Sequence, residues 1–289
     1  LIHYIEYNNR EYDMKRFIII LSICALTIPG FTRTKPMPIK LRFSRAVLMN
    51  SIYQTKRILD NGANINLRLN DRKETALMLA AAYKKIKIVR LLLQRGANIH
   101  LRDRSRNTAL HHATFNTDRE RRRDTTPQQK TAIIKMLLER GAKVNARGGI
   151  INITPLISAC ADWRNTNLAA VKLLVNKGAK INIKGKFNVN ALSNAATALR
   201  YNIVRYLIQK GAQVNVVTSV AHNETPLSQV ISTTLKHSTF YSLRPYRSAA
   251  YDKLKIIKLL LRKGANVHFR NKLNNSIVHM ALANLDPNT

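Results

Sequence analysis

A chain of 289 residues, 45% of them hydrophobic, is long and apolar enough to fold and is no disordered tail. Lys and Arg number 49 against 15 Asp and Glu, a formal charge of +34. A field of that size draws acidic proteins, nucleic acid or anionic lipid and is screened by salt, although a uniformly basic composition produces the same number without a function behind it. Of the two cysteines, Cys24 falls in a segment expected to be removed, and Cys160 alone excludes an internal disulfide.

Residue 1 is Leu, and the first Met is Met14. Lys15 and Arg16 come next, then the apolar run Phe17 to Ile28, which Pro29-Gly30 ends. A basic start before a short apolar core is the layout of a secretory signal. The run is too short for a bilayer-spanning helix, which needs ~20 residues. The reading predicts a start at Met14, a signal peptide over 14–30 and a linker over 31–40. Residues 1–13 are then an over-extended reading frame, or the chain is a fragment. No small-x-small cleavage triplet comes after the run, and Ile23 is too large for a lipoprotein box at Cys24. The alternative is a short apolar helix packed on the first repeat. The first reading makes the protein secreted or periplasmic, and the second makes it cytoplasmic.

From residue 41 a repeat takes over. One string recurs as Gly62-Ala63-Asn64-Ile65-Asn66, Gly96-Ala97-Asn98-Ile99-His100, Gly141-Ala142-Lys143-Val144-Asn145, Gly178-Ala179-Lys180-Ile181-Asn182, Gly211-Ala212-Gln213-Val214-Asn215 and Gly264-Ala265-Asn266-Val267-His268. Each comes after an apolar helical run. A Gly just past a helix end adopts the left-handed conformation cheaply. Arg95, Arg140, Lys177, Lys210 and Lys263 sit where the helix dipole favours cations. A second string begins at Thr75, Thr108, Thr154, Asn190, Thr225 and Ser276, all but the last continuing with Ala or Pro and then Leu. A capping oxygen before Pro or Ala marks a helix start. Each unit therefore reads as a capped short helix, a loop, a second helix, a Gly stop and an extended turn.

These strings resemble the ankyrin repeat, with its T-P-L-H-x-A helix start and its L-L-L-x-x-G-A-x-V/I-N helix end. The resemblance covers 41–289, with repeats at about 41–66, 67–100, 101–145, 146–182, 183–215 and 216–268 and a partial one at 269–289. It implies an all-α repeat solenoid of stacked helix-loop-helix units joined by β-hairpin-like turns.

The distance from capping residue to Gly is 21 residues from Thr75 and from Asn190, but 24 from Thr154, 33 from Thr108 and 39 from Thr225. Extra residues thus enter between the two helices, at about 116–130, 162–167 and 233–252. The glycine usual two residues before the cap is here Lys73, Arg106, Asn152, Asn188, Asn223 and Asn274. Asn tolerates a left-handed turn better than Lys or Arg, so the hairpins at Lys73 and Arg106 are expected to be strained or reshaped. The first unit, from Leu41, has a degenerate start like a terminal cap. The last reaches Thr289 before a second helix, leaving apolar surface for missing chain or a partner to cover.

No phosphate loop and no Cys/His set with metal spacing stands out, so neither cofactor nor small-molecule substrate is expected. His111 and His112 read as packing residues, Cys160 as a small buried residue, and the few acids as scattered. The sequons at Asn152, Asn223 and Asn274 arise from the turn grammar itself. The chain reads as a non-enzymatic, monomeric binding scaffold.

The resemblance implies binding through hairpin tips and the first-helix face. The tips carry Arg68, Arg72 and Lys73, then Arg102, Arg104 and Arg106, then Arg147, then Lys184 and Lys186, then Arg270 and Lys272. The inserts add Arg121, Arg122 and Arg123, and Tyr241 and Tyr246. Stacking would align the tips into a basic stripe for an acidic protein partner. The alternative ligand is nucleic acid or an anionic membrane surface, with the aromatics stacking on bases. Loops are also the cheapest place for charge in any basic protein.

Overall fold

The computed structural model describes residues 37–115, 126–161, 167–219, 223–233 and 246–283, with the side chains of 246 and 247 outside the description. The predicted signal, the arginines Arg121, Arg122 and Arg123, and Tyr241 lie outside the described residues, as does the Tyr246 side chain. The repeats occupy a compact unit that begins at Ile39.

Thirteen α-helices occur among the described residues. They are α1 (Ile39–Leu48), α2 (Ile52–Asp60), α3 (Ala76–Ala82), α4 (Ile86–Gln94), α5 (Ala109–Thr114), α6 (Pro127–Glu139) and α7 (Pro155–Cys160). α8 (Leu168–Asn176), α9 (Ala191–Thr197), α10 (Tyr201–Gln209), α11 (Pro226–Ser232), α12 (Tyr246–Arg262) and α13 (Ile277–Ala283) complete the series. The odd-numbered first helices pack on one another in chain order, and the even-numbered second helices form a parallel row behind them. Each helix pair cannot bury its apolar face alone, so the core runs between the rows. Leu77, Leu92, Leu110, Leu137, Leu156, Leu174, Leu192, Leu207, Leu227 and Leu260 line it, all at 1% exposure or less.

Most of the predicted caps form, while Thr108 makes no side-chain cap bond and instead gives its N–H to His111 Nδ1. Thr75, Thr154, Asn190 and Thr225 accept the backbone N–H three residues on. All six glycines of the recurrent string have φ between 78° and 87°, the conformation that stops the second helix. Asn66, Asn145, Asn182 and Asn215 add a connection between units. The Oδ1 of each accepts a backbone N–H of the next unit, from Asn98, Lys180, Gln213 and Asn266 in turn. Asn145, Asn182 and Asn215 also donate to the next unit's glycine carbonyl. His100 occupies the corresponding position after Asn98. Across that junction Arg140 donates instead to the Leu93 carbonyl at 2.7 Å.

Several sequence expectations change. The insert expected over 116–130 ends earlier, because α6 starts at Pro127 with Thr126 and Gln129 forming a capping box. The one expected over 233–252 ends by Tyr246, where α12 begins a run of 17 residues. The hairpins at Lys73 and Arg106 follow the first of their two expected outcomes: they are strained, not reshaped. They hold φ of 57° and 65°, matching 53° to 59° at Asn152, Asn188, Asn223 and Asn274. The last two residues of the expected linker, Ile39 and Lys40, already belong to α1.

Candidate protein-binding surface at the hairpin tips

Each hairpin is held by a few backbone bonds, such as Gly148 to Ile153 and Thr218 to Glu224. Backbone bonds also join successive hairpins. Arg104 N–H donates to Arg72, Gly149 to Ser105, Lys186 to Ile151 and Ser219 to Phe187, all at 2.7 to 2.8 Å. Contact this close explains two glycines. A Cβ at Gly148 would lie 2.9 Å from the Arg106 carbonyl oxygen, and one at Gly185 would lie 2.7 Å from that of Ile151. The tips thus form a single hydrogen-bonded edge from Arg72 to Ser219.

The basic residues predicted at the tips divide into two sets. Arg68 donates to the Lys73 and Arg102 carbonyls, Arg102 to the Arg106 and Arg147 carbonyls, and Arg147 to the Lys184 carbonyl. One guanidinium after another therefore staples its hairpin to the next, and Arg270 closes its own hairpin onto Asn274. In Arg68 and in Arg102 one Nη1 donates to both carbonyls, through its two N–H groups. In the second set, Lys73, Arg104, Arg106, Lys184, Lys186 and Lys272 are exposed. Arg72 is half-buried on the same edge. A shallow groove of about 570 Å³ opens beside Lys184 and Asn188 and is floored by residues 213–217.

Behind the tips lies a buried polar cluster that the sequence did not reveal. His112 Nε2 is 3.0 Å from Asp103 Oδ2 and its Nδ1 is 3.8 Å from Glu74 Oε1. Burial alone would raise the Asp103 carboxyl. The hydrogen bond and charge of His112, with the Asn107 amide, outweigh it and hold that carboxyl below its ordinary value. The three residues are metal-ligand types within 4.8 Å of one another. However, the two carboxylates face different ring nitrogens, so the imidazole bridges them rather than sharing a common centre with them. This clasp ties the hairpin of one unit to the first helix of the next. Its neighbour His111 accepts the Thr108 N–H at Nδ1 and approaches the Ile153 carbonyl at 3.2 Å through Nε2. Burial pushes its pKa down to about 4, so it is a neutral structural imidazole. Burial likewise pushes the Cys160 thiol up to about 12, which leaves it unreactive at neutral pH.

A buried lysine and a half-buried one finish two of the first helices. Lys84 Nζ reaches the carbonyls of Ala113 and Phe115 at 3.1 Å, at the end of α5. Lys253 Nζ does the same for Ile231 and Thr233 at the end of α11, and burial lowers its pKa. No helix of the described residues is long and apolar enough to cross a membrane.

A family model of ankyrin repeats in three copies matches residues 43–148 and 125–218, and a single ankyrin-repeat model matches 246–272. The chain belongs to the ankyrin-repeat family. Its stacked units make it a scaffold of the protein-binding kind. Among solved structures, the human ASB11 ankyrin repeat domain superposes with a TM-score of 0.62 at 20% identity, covering 83% of this chain and 90% of that one, a likeness of fold. Phosphocholine transferase AnkX of Legionella pneumophila is 36% identical over 76 residues, which is 26% of this ankyrin-repeat chain. The match spans 8% of that protein's length.

Proposed function

We propose that the protein is a monomeric, non-enzymatic ankyrin scaffold that holds an acidic protein partner along its hairpin edge. One observation carries this reading: backbone hydrogen bonds set successive tips side by side, and their exposed cations (Arg104, Arg106, Lys184 and Lys186) fall on that edge. Cations so aligned attract an extended anionic surface more strongly than scattered ones and steer its approach. Arg68, Arg102 and Arg147 contribute field but chiefly hold the edge together. The secretory layout at 14–30 supports export, and expression of the chain from Met14 with sequencing of the mature N-terminus tests it. A mature protein beginning near residue 31 is expected, and retention of Met14 would overturn export.

The binding reading is tested by titrating the full chain with polyglutamate and with random duplex DNA over a salt series. Polyglutamate should bind, weaken with salt, and lose at least about tenfold in affinity when Arg104, Arg106 and Lys186 are changed to Glu, since three reversals each remove more than a screened contact. Arg102 is left alone because its reversal would break two hairpin bonds. Preference for duplex DNA, with a steep log–log salt slope, would instead assign the edge to nucleic acid.

A further inference from the structure

Large exposed apolar residues among the described residues fall mostly at 37–53 and from Tyr251 onward, but three sit on consecutive inner hairpins: Ile150 (79% exposed), Phe187 (45%) and Val217 (37%). Backbone bonds from Lys186 to Ile151 and from Ser219 to Phe187 bring these three hairpins into contact. Phe187 has φ 59° and ψ 24°, a left-handed conformation that is rare for a bulky residue. Strain of this kind concentrates at ligand clamps, where it fixes a side chain in place. The Lys186 ammonium lies 5.2 Å from the ring centroid. No Asp or Glu occurs in 146–153, 183–189 or 211–219. The knobs of the first two hairpins are therefore set among Arg147, Lys184 and Lys186, whereas 211–219 has no Lys or Arg and the other arm of that hairpin carries Glu224.

The spacing of the knobs admits two ligand conformations, an α-helix with an apolar residue at every seventh position (~10.5 Å) and a polyproline-II segment. Each hairpin contributes two extended arms, and hydrogen-bonded arms lie roughly 4.8 Å apart, so successive tips recur every ~10 Å. Same-face residues of a β-strand recur at ~7 Å, too short. A polyproline-II segment has three residues per turn at ~3.1 Å each, so every third side chain recurs on one face at ~9 Å. We propose that these three hairpins bind an acidic protein segment in polyproline-II form, with an apolar residue at every third position and Asp or Glu between. The apolar residues pack beside Ile150, Phe187 and Val217, and the acids meet Arg147, Lys184 and Lys186. This rests on the acidic-partner reading above and specifies the partner's sequence pattern.

The test is fluorescence anisotropy of the full chain with three labelled peptides of equal length and net charge. One carries Leu at every third position among Glu, one carries the same Leu at alternate positions, and one carries Ala in place of Leu. Duplex DNA is the competitor. The third-position peptide should bind about tenfold tighter than either other, the worth of burying one or two apolar side chains. The double variant Ile150→Ser, Phe187→Gly should abolish that advantage and leave the Ala peptide's affinity unchanged. Gly accepts the left-handed backbone at 187, so this variant keeps the hairpin. Equal binding of all three peptides, or an advantage that survives the double variant, overturns the pattern while the acidic-partner reading stands. Failure of every peptide to bind, or displacement by stoichiometric DNA, overturns both.

Discussion

Asn182 makes both of its bonds across a repeat junction, donating to the Gly211 carbonyl and accepting the Gln213 N–H at 2.9 and 3.0 Å. Asn182→Ala strands two backbone groups at a partly solvated site, so it should cost about 1–2 kcal/mol in urea denaturation. A single residue also sets the acid response. An unfolded imidazole takes up its proton near 6.5, while folded His111 does so at about 4. Between those values the unfolded state holds more protons, so stability is full above 6.5 and falls as the pH drops to 4, by up to about 3 kcal/mol. His111→Gln should flatten that part of the pH–stability curve. Asp103, whose carboxyl is held below 3.8, gives up its contribution only at still lower pH, as the medium passes its folded value. Some of this was legible in sequence and some was not. A Thr before Pro-Leu or a Gly after a helix has one dominant local use, so those residues declared themselves. The arginines at 68, 102 and 147 announced only charge. That they donate to carbonyls of the next hairpin depends on a geometry that exists only after stacking.

At the level of elements, the first helices are very short: α5 and α7 have six residues each. Helices of that length are not stable alone and depend on packing and on satisfied ends. Lys84 serves the end of α5 from the preceding unit, so Lys84→Met should destabilise the chain by about 2 kcal/mol, read from the thermal midpoint at fixed pH. Helix boundaries near the inserts were harder to read. The signal for α6 was present as Thr126-Pro127 with Gln129 three residues after the cap, but it stands outside the strings that recur in every unit. α12 has no such recurring start, although the single-repeat match begins at its first residue. The clasp was illegible for a different reason: Asp103 and His112 lie nine residues apart in one unit, and Glu74 joins them only when two units stack.

For the whole molecule, repetition turns local rules into one extended surface. Gly148 and Gly185 permit hairpin-to-hairpin contact, the arginine staples fix it, and the exposed cations and the apolar residues Ile150 and Phe187 are carried along it. The fold was legible because its grammar is written six times, whereas a binding surface is written once and competes with the general basicity of the chain. The proposed function requires that this edge, rather than the second-helix face, hold the partner. Hydrogen–deuterium exchange of the full chain, with and without a saturating acidic apolar peptide, tests that requirement most directly. Slowed exchange at 146–153 and 183–189, with unchanged exchange in α8 and α10, is the expected result. Protection confined to α8 and α10, with the hairpin tips unaffected, would contradict it.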